Sequence, residues 1–371
     1  MNQIYWILAG NEELGSSRIH GLNIDRKLKQ LKYNSRVIIA PEPWMDDLPF
    51  DYIKYKKYFD FIKADDILIF QKVLGRNALK LINFLLSKSV RIFYVNCDLP
   101  LRQEYISEKM GIITPSKKLY NEYLSIMSGN TNCIYIPDCP EYFLQTKLNK
   151  KKTKLKCVWF GYYENKRWAD YEFLKQLIKN NFNGTWELIS ISDTEKADYQ
   201  WKRKSSLKII SKCDAVVIPI FNKNENAGMK SANKVIQAMA LNVSVLASPI
   251  DAYEEVIING FNGFICHNEE EWIKNLTILQ DPDIRESIRN GGFETAQKYK
   301  LDLIINNWIE VLGLNEKYIN KTNLSNVFDL IKLRYIFMLN MLKQKRSTKQ
   351  KVKKFIKIFI SYPLVSLVII L

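Results

Sequence analysis

Residues Asn224–Pro249 read NENAGMKSANKVIQAMALNVSVLASP. A glycine-containing loop opens a helix that begins with Lys230, Ser231, Ala232, Asn233 and Lys234. Ala238 and Ala240 let that helix pack closely, and the apolar run Val243–Ser248 then reads as a strand. Loop, helix and apolar strand in succession are the repeating unit of a parallel sheet with right-handed crossovers.

The same unit recurs on both sides of the stretch. In the second half the strand candidates are Cys157–Phe160, Trp186–Ile191, Ala215–Pro219, Val243–Ser248 and Gly263–Cys266. In the first half they are Ile4–Ala9, Arg36–Ala40, Asp66–Phe70, Val90–Val95, Gly111–Thr114 and Cys133–Ile136. Between two of these, Asn77–Lys88 carries Leu79, Ile82, Leu85 and Leu86 at helical spacing. The lysine-rich segment Lys147–Lys156 has no apolar face and separates the two series. The economical reading is two doubly wound, Rossmann-like α/β domains, 1–146 and 157–312, joined by the linker 147–156. One large mixed sheet is the alternative. Ligands of such sheets bind beyond the carboxyl ends of the strands, so two facing domains would share one site in a cleft.

The 371 residues carry 55 Lys+Arg against 39 Asp+Glu, a formal charge of +16. The excess is local. Leu342–Leu371 holds eight basic residues and no acid, and Lys147–Lys156 holds six lysines and no acid. Two runs in an otherwise nearly neutral chain do not make the basic face of a nucleic-acid binder. After 312 a helical tail is expected, with Asn323–Leu342 forming one or two helices. The apolar Phe355–Leu371, broken by Pro363, follows the basic run. It is too short to span a bilayer, and basic plus apolar segments together suit an anionic membrane surface. The N-terminus lacks the features of a signal peptide, so a cytoplasmic, peripherally bound protein is expected.

Six dispersed cysteines and only two histidines give no zinc cluster, and the cysteines read as small hydrophobes beside strands. Asp281-Pro282-Asp283 has the spacing of a metal-binding pair but reads as the capped start of a helix over Ile284–Asn290. Gly291-Gly292 is expected past the end of that helix. Asp46-Asp47 and Asp65-Asp66 read as loop pairs without further ligands.

The chemistry concentrates at the start of the helix in Asn224–Pro249. First-turn amides lack intrahelical partners and sit at the positive end of the helix dipole, which makes a phosphate site. Gly228 and Ala232 belong to that turn. Ser231 and Asn233 add side-chain donors, and Lys230 and Lys234 offset diphosphate charge. The alternative is an ordinary helix capped by Ser231 or Asn233. His20, at the start of the first helix, is placed either to act on an acceptor hydroxyl or to pack on its own domain; Arg18 is placed to meet a phosphate.

The run SANKVIQAMALNVSVLASPIDAYEEVIINGFNGF, Ser231–Phe264, resembles the donor-binding region of bacterial retaining glycosyltransferases of the GT-B fold, the family-four type of capsule and lipopolysaccharide biosynthesis. The resemblance covers the second domain, where Cys157–Gly161 with Asn165, Lys166 and Arg167 takes the place of the first strand and its basic loop. It is looser in the first, where Gly15-Ser16-Ser17-Arg18 follows the first strand. It implies that Ser17, Arg18, Gly228, Ser231, Ala232, Asn233 and Gln237 bind the donor. It further implies that Lys166, Arg167 and Lys234 stabilise the leaving diphosphate, with His20 on the acceptor side. The family pattern has two glutamates eight apart, the second gripping the ribose; here those positions are Met229 and Gln237. Gln237 would bind ribose as an uncharged amide.

The resulting expectation is a retaining, metal-independent glycosyltransferase that needs no cofactor. Its partners would be a nucleoside-diphosphate sugar donor, a glycan or lipid-linked glycan acceptor, and the anionic inner face of a membrane. The alternatives are a sugar-nucleotide epimerase and a non-catalytic partner that keeps the fold.

Overall fold

The computed structural model describes residues 3–42, 44–127, 132–146, 152, 154–163, 167–221, 228–314 and 324–343. Two separate six-stranded sheets form, which excludes the single mixed sheet. The first comprises β1 (Ile4–Leu8), β2 (Ser35–Ile39), β3 (Ile67–Gln71), β4 (Arg91–Val95), β5 (Met110–Thr114) and β6 (Cys133–Tyr135). Its order is β2-β1-β3-β4-β5-β6, and every pairing is parallel. The second comprises β7 (Leu155–Phe160), β8 (Trp186–Ser192), β9 (Tyr199–Gln200), β10 (Ala215–Ile218), β11 (Ser244–Ala247) and β12 (Phe264–Ile265). It runs β12-β11-β10-β7-β8-β9, again parallel throughout. Eleven of these strands fall on the apolar runs of the sequence. The exception is β9, two exposed residues that leave no apolar signal.

The longer helices are α1 (Asn23–Gln30), α2 (Arg76–Ser87), α3 (Lys117–Ile126), α4 (Arg167–Asn181), α5 (Arg203–Ile210), α6 (Asn233–Ala240), α7 (Glu269–Ile278), α8 (Pro282–Gln297), α9 (Leu301–Val311) and α10 (Leu324–Lys343). The second sheet is buried on both faces, as a parallel sheet flanked by helices must be. Val158, Phe160, Val216, Ile218 and Val245 pack on one side with Val235, Ile236 and Met239 of α6. Their strand neighbours Cys157, Trp159, Val217 and Leu246 pack on the other with Tyr171, Trp272 and Leu276. Each such side chain contributes about 1.5–3 kcal/mol on burial. The cysteines of these runs behave as packing groups: burial pushes the thiols of Cys133, Cys213 and Cys266 up to about 12.

Several polar residues have local structural tasks. Asp281 caps α8, accepting from the N–H groups of Asp283 (2.8 Å) and Ile284 (3.1 Å), as its position before Pro282 predicts. Asp47 reaches the start of α2 and accepts from Asn77 and Ala78 N–H at 3.0 and 2.8 Å, so one of the loop carboxylates is a helix cap. Gly291 and Gly292 lie inside α8, not after it. A Cβ at Gly291 would meet Phe261 O at 2.4 Å, and one at Gly292 would meet Met239 Cγ at 3.1 Å. The glycines allow α8 to approach its neighbours; they do not end it.

The chain divides into two compact units. Unit 1 is Met1–Pro115, Leu119–Ile136 and Ile305–Leu371; unit 2 is Ser116–Lys118 and Pro137–Ile304. These bounds differ from 1–146 and 157–312 for specific reasons. Residues 137–146 are bonded to α6 and α8 of unit 2, as detailed below. Trp308 of α9 packs on Trp6 with ring centroids 5.7 Å apart, and Arg91 Nη1 donates to Leu312 O at 2.8 Å, which ties the end of α9 to unit 1. Arg334 of α10 donates to Ile38 O and Val37 O (3.0 and 2.7 Å), covering the edge strand β2. The expected linker is also partly structured. Leu155 and Lys156 belong to β7, and Lys152 Nζ pairs with the buried Asp214 at 3.0 Å. The basic and apolar end, 344–371, lies outside the described residues. No helix among the described residues is long and apolar enough to cross a membrane.

Candidate functional site

In unit 2 the start of α6 stands beside the carboxyl end of β7. The N-cap residue is Ala232, and no side chain caps the helix. Neither Ser231 nor Asn233 does what an ordinary capped helix would require. Ser231 Oγ donates instead to Asp138. Asn233 Nδ2 is buried without a hydrogen-bond partner among the described residues. The first-turn amides therefore keep the positive end of the dipole available to an anion.

Lys234 dominates the electrostatics. Its Nζ donates to Phe160 O at 2.8 Å and lies 5.4 Å from the centroid of the Phe160 ring. Burial, followed by repulsion from Lys230 and Arg167, pushes its pKa down to about 7. A lysine whose charge is suppressed by burial and by neighbouring cations is one that a bound anion would re-protonate. Gly161 makes the approach feasible, since a Cβ there would stand 3.0 Å from Lys234 Nζ. Arg167 opens α4 and pairs with the buried Asp170 at 3.4 Å, which fixes its position. An open cavity of about 740 Å³ adjoins Asp170, but Asp170, Glu269 and Glu270 line it, so it does not suit an anion.

Of the residues expected from sequence, Arg167, Gly228, Ser231, Ala232, Asn233, Lys234 and Gln237 all lie in unit 2. Lys166 falls outside the described residues. Gly228 is not sterically required, since a Cβ there would find nothing nearer than Lys118 Cε at 3.8 Å. Gln237 is placed differently from a ribose ligand. It is 5% exposed; its Oε1 accepts from Glu141 N–H at 2.7 Å and its Nε2 donates to Tyr142 O at 2.9 Å. Its amide serves the protein's own backbone. Residues that sequence reasoning did not single out for the site are Gly161, Asp138 and Asp170. Only the position of Asp170, three after Arg167 on one helix face, gave a local signal.

Ser17, Arg18 and His20 belong to unit 1. Ser17 Oγ accepts from Gly10 N–H at 2.9 Å and donates to Gln71 Oε1 at 2.8 Å. Arg18 is 4% exposed and donates to Glu12 O at 2.6 Å. His20, 8% exposed, sits in a π-helical turn, Arg18–Leu22.

Comparison with known proteins agrees with this architecture. Residues 147–281 match the family described as Glycosyl transferases group 1. An uncharacterized glycosyltransferase of Methanocaldococcus jannaschii, MJ1069, is 24% identical over 268 residues, 70% of this chain; the match spans 61% of that relative's length. Among solved structures, a glycosyltransferase from Rickettsia africae superposes with a TM-score of 0.62 at 9% identity, covering 84% of this chain and 98% of that one. Anabaena Alr3699/HepE in complex with UDP and glucose gives 0.60 at 13%, covering 84% and 100%. The lipopolysaccharide outer core galactosyltransferase WaaB gives 0.59 at 14%, covering 85% and 100%. The chain thus has the GT-B fold of these glycosyltransferases, and its residues 147–281 match the group 1 glycosyl transferase family.

Proposed function

We propose that this protein is a glycosyltransferase that moves a hexose-like sugar from a nucleoside diphosphate to a hydroxyl of a glycan, with retention and without metal. The observation that carries the reading is the uncapped start of α6, with Lys234 held against Phe160 O beside Lys230 and Arg167. As the glycosidic bond lengthens, negative charge grows on the departing diphosphate. Fixed cations and helix-end amides stabilise that charge more than the ground state, which is what lowers a barrier. Lys234, Arg167, Ser231 and Asn233 are assigned to this task, with Lys166 beside Arg167 in sequence. His20 of unit 1 is assigned to the acceptor hydroxyl. The match over residues 147–281 supports sugar transfer, and the HepE complex with UDP-glucose supports a nucleoside-diphosphate donor. The basic run in 342–371, followed by an apolar end, supports a peripheral position on an anionic, cytoplasmic membrane face and a lipid-linked acceptor.

A second reading is a non-catalytic binding partner in glycan assembly. It is favoured by Met229 and by the commitment of Gln237 to the backbone. Thermal stability of the full chain titrated with UDP, GDP, ADP, CMP and dTDP weighs the first reading against the second. A ligand bound only by the folded state at a hundred times its Kd adds about 2.7 kcal/mol. A saturable shift with one nucleotide, reduced in Asn233→Ala, is expected, and no shift with any of them contradicts the enzyme and favours the binding partner. UDP-sugar turnover then separates the enzyme from the binding partner.

A further inference from the structure

Nine residues after β6 run along α6 as a strap, in step with the helix. Asp138 receives the hydroxyl of Ser231, just before the helix begins. Glu141 and Tyr142 meet the Gln237 amide. Leu144 N–H donates to Ala240 O at 3.0 Å. At the far end, Arg289 Nη2 donates to Thr146 O (2.9 Å) and Thr146 Oγ1 (2.7 Å), and Arg289 Nε donates to Asn242 O at 2.8 Å. Outside the strap, Arg203 pairs with Glu141 at 3.3 Å. Gln237 holds the middle, and it is the one contact that needs a donor and an acceptor from the same side chain. An ionised carboxylate supplies only acceptors, so it would face Tyr142 O without a proton between them.

We infer that Gln237 is a positioning residue: its amide clasps the strap 138–146 to α6 and thereby sets the start of that helix, where Ser231, Asn233 and Lys234 stand. The inference rests on the proposed function only for what the helix start binds. The strap is also the covalent continuation of β6, whose last residue, Tyr135, belongs to unit 1 while Pro137 opens unit 2. A clasp that makes strap and helix one piece keeps the anion-binding turn in register with the chain that enters the unit.

The test uses Gln237→Glu and Gln237→Ala in the full chain. A protonated glutamic acid presents one O–H donor and one carbonyl acceptor and reproduces the amide; the carboxylate does not. Hydrogen exchange of peptides covering 138–146 and 228–235 is compared with the native protein at pH 5.5 and pH 8, each at matched pH. The account expects Gln237→Glu to lose protection in both peptides at pH 8 and to regain it at pH 5.5. Gln237→Ala should lose it at both. UDP affinity, in parallel, should fall about tenfold in Gln237→Glu at pH 8 and return toward the native value at pH 5.5. Native-like protection of either peptide in Gln237→Glu at pH 8, or loss that acid does not reverse, overturns the clasp. If UDP binds none of the proteins, the proposed function fails for that nucleotide, while the exchange data still decide the clasp.

Discussion

The carboxyl ends of the two sheets are built to opposite rules. In unit 1, Gly10 N–H, Ser17 Oγ and Gln71 Oε1 form a chain of hydrogen bonds, and Arg18 donates to Glu12 O. Those groups serve one another, while Ser16 Oγ and Gln71 Nε2 are buried without a hydrogen-bond partner among the described residues. In unit 2 the corresponding region has an uncapped helix start, a buried amide nitrogen without a partner among the described residues, and a lysine whose charge is suppressed by burial and then by two other cations. What sets unit 2 apart is charge: a buried lysine stands beside other cations, a situation that an anion relieves. The difference shows where binding energy is stored, since buried and crowded like charges are relieved when an anion arrives.

If that contrast is sound, affinity and stability should respond separately to substitution. The largest loss of affinity belongs to Lys234→Ala, which removes a charge-assisted contact of about 1.5–3 kcal/mol. Calorimetry with UDP should show Kd rising roughly 10- to 150-fold, while the ligand-free protein at pH 8 melts no lower than the native one. Ser17→Ala should do the reverse. It leaves the buried Gly10 N–H without its acceptor, costing about 1–3 kcal/mol in denaturant unfolding, with UDP affinity unchanged. Equal loss of affinity in both variants would erase the distinction between the two edges.

Smaller effects sharpen it. Gly161→Ala brings a methyl group within 3.0 Å of Lys234 Nζ. Displacing that side chain from its rotamer costs about 0.5–1.5 kcal/mol, so a weakening of a few fold is expected in the same titration. Asp281→Ala removes the cap of α8 and should lower stability by about 1 kcal/mol without touching affinity. A change of UDP Kd in Asp281→Ala would mean that affinity simply follows global stability.

Much of this was legible in the sequence, because parallel strands buried on both faces leave apolar runs and a helix start leaves its residues adjacent. Val243–Ser248 and the Lys230–Lys234 turn are of that kind. What was not legible depends on partners distant in the chain. Gln237 meets residues 95 and 96 positions earlier. Asp47 caps a helix about 30 positions on. Gly291 and Gly292 look like a helix end because glycine usually serves there, yet Phe261 O and Met239 leave no room for a Cβ. The grouping of α9 and α10 with unit 1 rests on Trp6, Arg91 and the β2 carbonyls, none of which marks itself locally.

The central claim, that the start of α6 with Lys234 is a diphosphate site, is tested most directly by proton uptake. With its pKa near 7, Lys234 is mostly neutral in the free protein at pH 8, and an anion beside it raises that pKa. Binding must then take up a proton, and affinity must fall as pH rises above 7, by up to about tenfold per unit. UDP titrated by calorimetry at pH 8 in buffers of different ionisation enthalpy reads the uptake itself. The account predicts an uptake approaching one proton in the native protein and none in Lys234→Ala. Tight binding of UDP with no proton exchange, or an uptake that survives Lys234→Ala, would contradict it.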